Sequence, residues 1–217
     1  MTVTQPAFAP EPDRDCALCP RLVAFRRANQ QQHPAFFNGA VPSFGGSDAR
    51  LLIVGLAPGL KGANQTGRPF TGDFAGDLLY QTLAKFGLSQ GTFDARPDDG
   101  LTLVDCMITN AVRCVPPQNK PVGAEIAQCR GFLDARIKAQ TQLKAILALG
   151  RIAHETVLRS LDCKLADHRF VHCARHDIGQ IALFDSYHCS RYNTNTGRLT
   201  THMFEAVFEK ISRHLRD

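Results

Sequence analysis

Four cysteines are spaced for shared chemistry. Cys16 and Cys19 lie three apart, which puts two sulfurs on one face of a helical turn. Cys114 and Cys129 follow far along the chain, with fourteen residues between them. Four thiolates in this order can hold a 4Fe-4S cluster or a tetrahedral zinc, and the spacing does not choose between them. A lone Cys-x2-Cys is also what an ordinary surface turn looks like. The second pair, flanked by Arg113, Pro116 and Pro117, is the stronger part of the signal. Cys106, Cys163 and Cys173 read as core or structural residues. His168, His172 and His176 lie near the last two, but no ligand pair there has a compact metal spacing.

A second concentration of chemistry lies in Gly55–Asp73, GLAPGLKGANQTGRPFTGD. Seven of its nineteen positions are Gly or Pro. A run of aliphatics, Leu51–Val54, leads into it and an amphipathic segment leaves it. This is a strand delivering a backbone-rich loop to the start of a helix, the place where open α/β sheets bind ligands. Glycines let main chain approach a ligand, and helix N–H groups face anions or carbonyl oxygens. A long surface turn would share that composition. Phe70 and the closing Asp73 set this one apart.

The elements that must position these residues alternate between strand and helix. Leu51–Leu56, Leu101–Asn110, Lys144–Leu149 and Gln180–Tyr187 read as strands. Leu22–Gln32, Phe74–Gly87, Ala124–Gln140 and Gly150–Ser160 read as helices. A last helix is capped by Thr200 or Thr201 and turns Phe204, Val207, Phe208, Ile211 and Leu215 inward. His33–Asp48 reads as loop, and a short strand is expected near Phe170–Cys173. The fold class is therefore α/β: a three-layer α/β/α arrangement with a central, mostly parallel, four-stranded sheet. One domain is expected over 1–217, with residues 1–15 a loose arm.

Composition bounds the function classes. Of 217 residues 44% are hydrophobic, enough for a core, so general disorder is excluded. A net charge of +5 suits a polyanion partner without demanding one. No run of eighteen apolar residues exists, so no membrane partner is expected, and the acidic, Pro-rich start is no secretory signal. A cytoplasmic monomer is expected, in a compartment where eight cysteines are not paired as disulfides.

Three blocks together resemble the iron–sulfur uracil-DNA glycosylases, family 5 or type B. They are GLAPGLKGANQTGRPFTGD, TNAVRCVPPQNKP and YHCSRYNTNTGRLT, and the four cysteines agree with them in order and spacing. The match covers much of the chain between Cys16 and Thr200. Ala57 and the TGD ending at Asp73 resemble family 5 rather than family 4. Cys189 departs from the proline usual after the third block's histidine, and Gln65 from a common basic residue; these bear on loop rigidity and on phosphate or substrate contacts.

The resemblance implies hydrolysis of the N-glycosidic bond of uracil, and of other deaminated or modified bases, in double-stranded DNA after base flipping. It implies Asp73, His188 and Asn110 as catalytic residues, with Phe70, Asn110, Gly55 and Ala57 around the base. Phe70 would be a stacking platform, and Asn110 would pair with the base edge. His188 would donate to the leaving base. Asp73 would orient water or stabilise the sugar cation, and it also suits a helix N-cap. Arg191, Tyr192, Arg198, Lys61, Arg68 and Lys120 would contact DNA, with Arg191 or Tyr192 entering the duplex. Cys16, Cys19, Cys114 and Cys129 would hold a structural 4Fe-4S cluster, zinc being the lesser occupant. The rival readings are a strictly uracil-directed family-4-like enzyme and a lesion-binding module that does not cut.

Overall fold

The computed structural model describes residues 9–216. Helix α1 (Pro20–Gln32) is followed by β1 (Phe44–Gly45), β2 (Leu51–Gly55), α2 (Ala63–Thr66) and α3 (Phe74–Lys85). A short hairpin, β3 (Ser89–Gln90) with β4 (Thr102–Leu103), precedes β5 (Cys106–Asn110) and α4 (Gly123–Ala139). Then come β6 (Ala145–Leu149), α5 (Arg151–Ser160), β7 (Arg175–Ile178), β8 (Ile181–Ser186), α6 (Arg191–Asn195) and α7 (Thr201–Arg216).

The main sheet has six strands in the order β1-β5-β2-β6-β8-β7. The inner four are mutually parallel, and β1 and β7 run antiparallel at the two edges. The expected α/β class holds, but the sheet has six strands instead of four. Both additions are edge strands that hydrophobic periodicity does not reveal. β1 is two residues long, inside a stretch expected to be loop. β7 carries Arg175, His176 and Asp177, so its pattern is polar, and it forms at Arg175–Ile178, not at Phe170–Cys173. The stretch 101–110 is not one strand either. Asp105 takes a left-handed φ of 53° between β4 and β5. Its carboxylate accepts from the Arg50 backbone N–H (3.0 Å) and from Arg50 Nε (2.8 Å).

Side-chain alternation along the central strands builds two cores. Leu51, Ile53, Cys106, Ile108 and Leu147 face α3 and α7, meeting Leu79, Leu83, Phe204 and Phe208. Leu52, Val54, Met107, Ile146 and Ala148 face α4 and α5, meeting Leu133, Val157 and Leu158. Period-two pleating sends neighbours to opposite faces, and both faces are covered. In α7 all five residues expected inward are buried. Thr200 caps it, its hydroxyl accepting from the Met203 N–H at 3.2 Å.

Two expectations need correcting. The arm over residues 1–15 is not loose where it is described. Glu11 accepts from Arg113 Nη1 at 2.9 Å, from Arg136 Nε at 3.1 Å and from the Ser43 N–H at 2.8 Å. Residues 1–8 lie outside the described residues. Arg68, expected as a phosphate contact, is not at the surface. It is buried, forked onto Asp99 with Nη–Oδ distances of 2.8 and 2.7 Å, and donates from Nε to Thr71 Oγ1 at 2.8 Å. Phe44, Tyr80 and Phe93 surround its guanidinium. Desolvating that cation without a carboxylate would be costly, so Asp99 is its fixed partner.

Truncating Arg68 strands Asp99 in a nearly dry site. Arg68→Ala is expected to destabilise the fold by about 3–5 kcal/mol. Urea unfolding checks this; a midpoint equal to wild type would contradict the burial.

Candidate active site

The carboxyl ends of the central strands form the site. β2 ends at Gly55, directly opposite Asn110 at the end of β5. Two residues beyond β8 lies His188. Phe70 reaches in from the loop between α2 and α3 with φ 53°, a left-handed conformation that costs of order 1–3 kcal/mol in a bulky residue. Its ring stacks on the His188 imidazole, centroids 5.8 Å apart and planes 26° apart. Gly55 is what lets them meet. A Cβ there would lie 2.7 Å from the Phe70 ring and would strike the Asn110 side-chain oxygen. Phe70, Asn110, Gly55 and His188 are thus brought to one place.

The electrostatics of His188 are those of a neutral ring. Its Nδ1 is sealed from solvent and has no hydrogen-bond partner among the described residues. Burial depresses its pKa to about 4, because a charged ring there would be desolvated and unpaired. A bare lone pair is tolerated in such a place better than an unmet N–H. The ring proton therefore belongs on Nε2, leaving a donor available.

Asp73 does what an N-cap does. Its Oδ1 accepts from the Ala75 N–H at 3.1 Å at the start of α3. Burial raises its pKa, against the lowering effect of the hydrogen bonds from the Gly76 and Ala75 backbone. Its other oxygen, Oδ2, sits beneath the turn Gly59–Gly62, within 3.3 Å of where a Gly59 Cβ would be. That oxygen is not occupied by the cap.

The four cysteines line one pocket with Leu22, Ala40, Val112 and Phe132. The site fits a thiolate-bound metal centre. Arg26 Nη1 lies 3.8 Å from Cys114 Sγ, and the Arg113 N–H donates to Cys129 Sγ at 3.3 Å. Arg26 Nε is buried without a partner, a donor and charge suited to an anionic sulfur cluster. Burial, with a smaller push from the neighbouring cysteines, outweighs Arg26 and Arg113 and moves the thiol of Cys114 up to about 11 and that of Cys129 to about 12, so loading must release protons. Among the described residues, the one group of His, Cys, Asp or Glu with ligand atoms all within 4.8 Å is His154, His176 and Asp185. The cysteine sulfurs are spread more widely than that. Ala57 packs against the cysteine cluster, not against Phe70.

Of the basic residues, Lys61, Lys120, Arg191 and Arg198 are exposed. The Arg191 guanidinium lies 5.2 Å over the Phe74 ring, and that of Arg198 lies 4.7 Å over Tyr187. Tyr192 is 72% exposed, on the first turn of α6.

Residues 42–212 match the family model described as the uracil DNA glycosylase superfamily. The chain belongs to this family. Within it the chain is similar to the type-5 uracil-DNA glycosylase of Thermus thermophilus, 42% identical over 91% of this chain and 93% of that one. It is similar also to the type-5 enzyme of Pyrobaculum aerophilum, 36% identical over 91% and 88% of the two chains. A type-4 uracil-DNA glycosylase of Archaeoglobus fulgidus matches at 32% over 56% of this chain and 54% of that one. The chain is thus a type-5 uracil-DNA glycosylase by family.

Against the type-5 pattern, Cys189 is fully buried with Sγ donating to the Ala75 carbonyl at 3.4 Å. Burial pushes its thiol strongly upward, so it behaves as a small apolar residue bracing α3 against the His188 loop. Gln65 is exposed, and its carbonyl accepts from the Phe37 N–H at 3.0 Å. Sequence reasoning missed Glu11, Arg26 and Asp185. Each looks like an ordinary charge until a partner far along the chain closes on it. In the sequence Arg113 stands out only as a neighbour of Cys114.

The buried neutral imidazole gives a pH prediction. The unfolded chain takes up a proton on His188 near 6.5, but the folded chain only near 4. Between those values the unfolded state binds more protons, so stability falls as pH drops through that window. His188→Gln is expected to flatten this part of the melting-temperature profile; an unchanged slope would contradict the assignment.

Proposed function

We propose that this type-5 glycosylase removes uracil from DNA by hydrolysing the bond between base and deoxyribose. The observation carrying the reading is the convergence of the Phe70 ring, the Asn110 amide and the His188 imidazole at Gly55. An aromatic face, a group that both donates and accepts, and a neutral donor are what a flipped pyrimidine requires. The base leaves the duplex and stacks on Phe70, which contributes about 1–3 kcal/mol. Asn110 hydrogen-bonds the base edge.

As the glycosidic bond breaks, negative charge builds on the leaving base. His188 Nε2–H donates to it; a neutral ring suits this task because it needs no charge desolvated beforehand. The free oxygen of Asp73 faces the sugar cation and holds the attacking water, while its other oxygen caps α3. The same site accepts other deaminated bases. Lys61, Lys120, Arg191 and Arg198 hold phosphates of duplex DNA, and Tyr192 fills the gap left by the base. The protein acts as a monomer of one domain. None of its eight cysteines pairs with another, which suits the reducing cytoplasm.

Cys16, Cys19, Cys114 and Cys129 would hold a 4Fe-4S cluster. A tetrahedral zinc would draw its thiolates to about 3.8 Å from one another, whereas a cubane spreads them. Such a cluster would supply cross-linking, fastening the segment at Cys16 and Cys19 to the loop following Asn110.

Duplexes carrying uracil opposite guanine or adenine, hypoxanthine, or no lesion test the activity. Alkali then converts each abasic product into a strand break. Breaks are expected with uracil and hypoxanthine only. Tight binding to uracil DNA without breaks would leave a lesion-binding module instead. His188→Ala and Asn110→Ala are each expected to slow single turnover by about 10²-fold or more. Asp73→Ala at full rate would reduce that residue to its cap.

The aerobically purified protein is expected to absorb broadly in the visible and to lose the band with iron chelation and in Cys129→Ala. A colourless protein holding one zinc would overturn the cluster.

A further inference from the structure

A buried ionic bridge lies behind His188. Asp185, fully buried in β8 three residues before His188, has an imidazole on each oxygen. His154 Nδ1 from α5 is 2.7 Å from Oδ1, and His176 Nε2 from β7 is 2.9 Å from Oδ2. These are hydrogen-bond separations. Two ligands on one tetrahedral zinc would stand about 3.4 Å apart, so the trio is a bridge and not a metal site.

The second nitrogen of His154 fixes its charge state. Nε2 is 2.8 Å from the His168 carbonyl oxygen. A carbonyl and a carboxylate only accept, so the ring must donate from both nitrogens and is an imidazolium. The Asp185 carboxylate raises the His154 pKa, opposing a burial effect that alone would lower it. Other charged or titratable groups facing the bridge are Glu155 on α5, His176 on β7, and Arg151, His168 and Arg169 around the adjoining pocket.

The bridge is connected to the catalytic loop by a short path. Asp185 exchanges backbone hydrogen bonds with Cys173 (2.8 Å) and Ala174 (3.1 Å), which holds that segment on β8. From it His172 reaches across, its Nδ1 accepting from the Tyr187 N–H at 3.2 Å and its ring stacking on Tyr187 at 4.9 Å. Tyr187 is the residue before His188. On the α5 side, the Gly150 N–H donates to the Ser186 carbonyl at 2.8 Å, and a Cβ on Gly150 would lie 3.7 Å from His188 Cβ.

We propose that the His154–Asp185–His176 bridge is a positioning device that sets His188 through His172–Tyr187 on one side and Gly150 on the other. It rests on the donor role given to His188 above. Replacing Asp185 by Leu keeps the shape and removes both acceptors, so His154 and His176 each lose a partner. Replacing it by Asn removes the charge but leaves an amide that accepts on one side and donates on the other, which a neutral His154 ring can meet while still donating to the His168 carbonyl.

Single-turnover excision from uracil duplexes, with enzyme in saturating excess, tests this. Asp185→Leu is expected to fall about tenfold below wild type, the worth of one hydrogen bond, with unchanged affinity for uracil DNA. Asp185→Asn should stay within about twofold of wild type. Equal rates for wild type and Asp185→Leu, or a loss in Asp185→Leu that comes with weakened DNA binding, would overturn the proposal. Nitrogen-15 spectra of wild type give a second reading that needs no variant to fold. Two ring N–H signals from His154 at pH 7.5 are expected, and a single one overturns it. His188→Ala run alongside separates the failures. If it retains full rate, the donor role itself is wrong. If it is slow while Asp185→Leu keeps full rate, only the bridge is wrong.

Discussion

A guanidinium with almost no water around it organises the cysteine side of the molecule. Arg113 is 2% exposed, and so large a cation needs an anion and acceptors in fixed places. Glu11 supplies the charge; the carbonyls of Val41 and Pro10 accept from the remaining donors. The same carboxylate meets Arg136 on α4 and the Ser43 N–H. The N-terminal segment is therefore drawn over the end of β5, and it brings Cys16 and Cys19 to the cavity that Cys114 and Cys129 already line. Arg113 stands three residues past Asn110. The base-facing amide, the sulfur cavity and the arm thus share a single short stretch of main chain.

The catalytic side rests on the opposite principle, the exclusion of charge. Gly55 brings two strand ends so close that only a hydrogen fits between the Asn110 amide and the Phe70 ring. Phe70 pays in backbone strain for its position and shields His188. With Nδ1 sealed, the imidazole stays uncharged and its one proton belongs on Nε2. Asp73 sits at a helix start, where N–H groups favour a carboxylate against the burial that disfavours it. Neighbouring groups are thus tuned in different directions by one dry pocket and one helix end.

Much of this was legible in the sequence. Of the inner strands β2 and β6 carry unbroken aliphatic runs, and β5 and β8 begin apolar before turning polar toward their ends. The spaced cysteines, the Gly-rich loop ending at Asp73 and the His188 block all announced themselves by residue type. What escaped had a physical reason. β1 and β7 are too short or too polar to show a period. Asp105 breaks a strand because Arg50 holds its carboxylate, a contact between residues fifty-five positions apart. Arg68 looked like a phosphate contact because nothing in the local sequence points to Asp99, thirty-one residues on. Asp185, surrounded by strand residues, is recognisable only when two histidines from other elements close on it.

The two sheet edges carry a consequence of their own. An open edge offers unpaired N–H and C=O groups to any other chain, and that is how sheets aggregate. Here one edge strand is two residues long. The other presents Arg175 and Asp177 outward while His176 turns in to Asp185. Neither edge offers a flat apolar ribbon for a second copy to extend. The polar pattern that hid β7 from hydrophobic periodicity is the same one that makes this edge a poor template for strand addition.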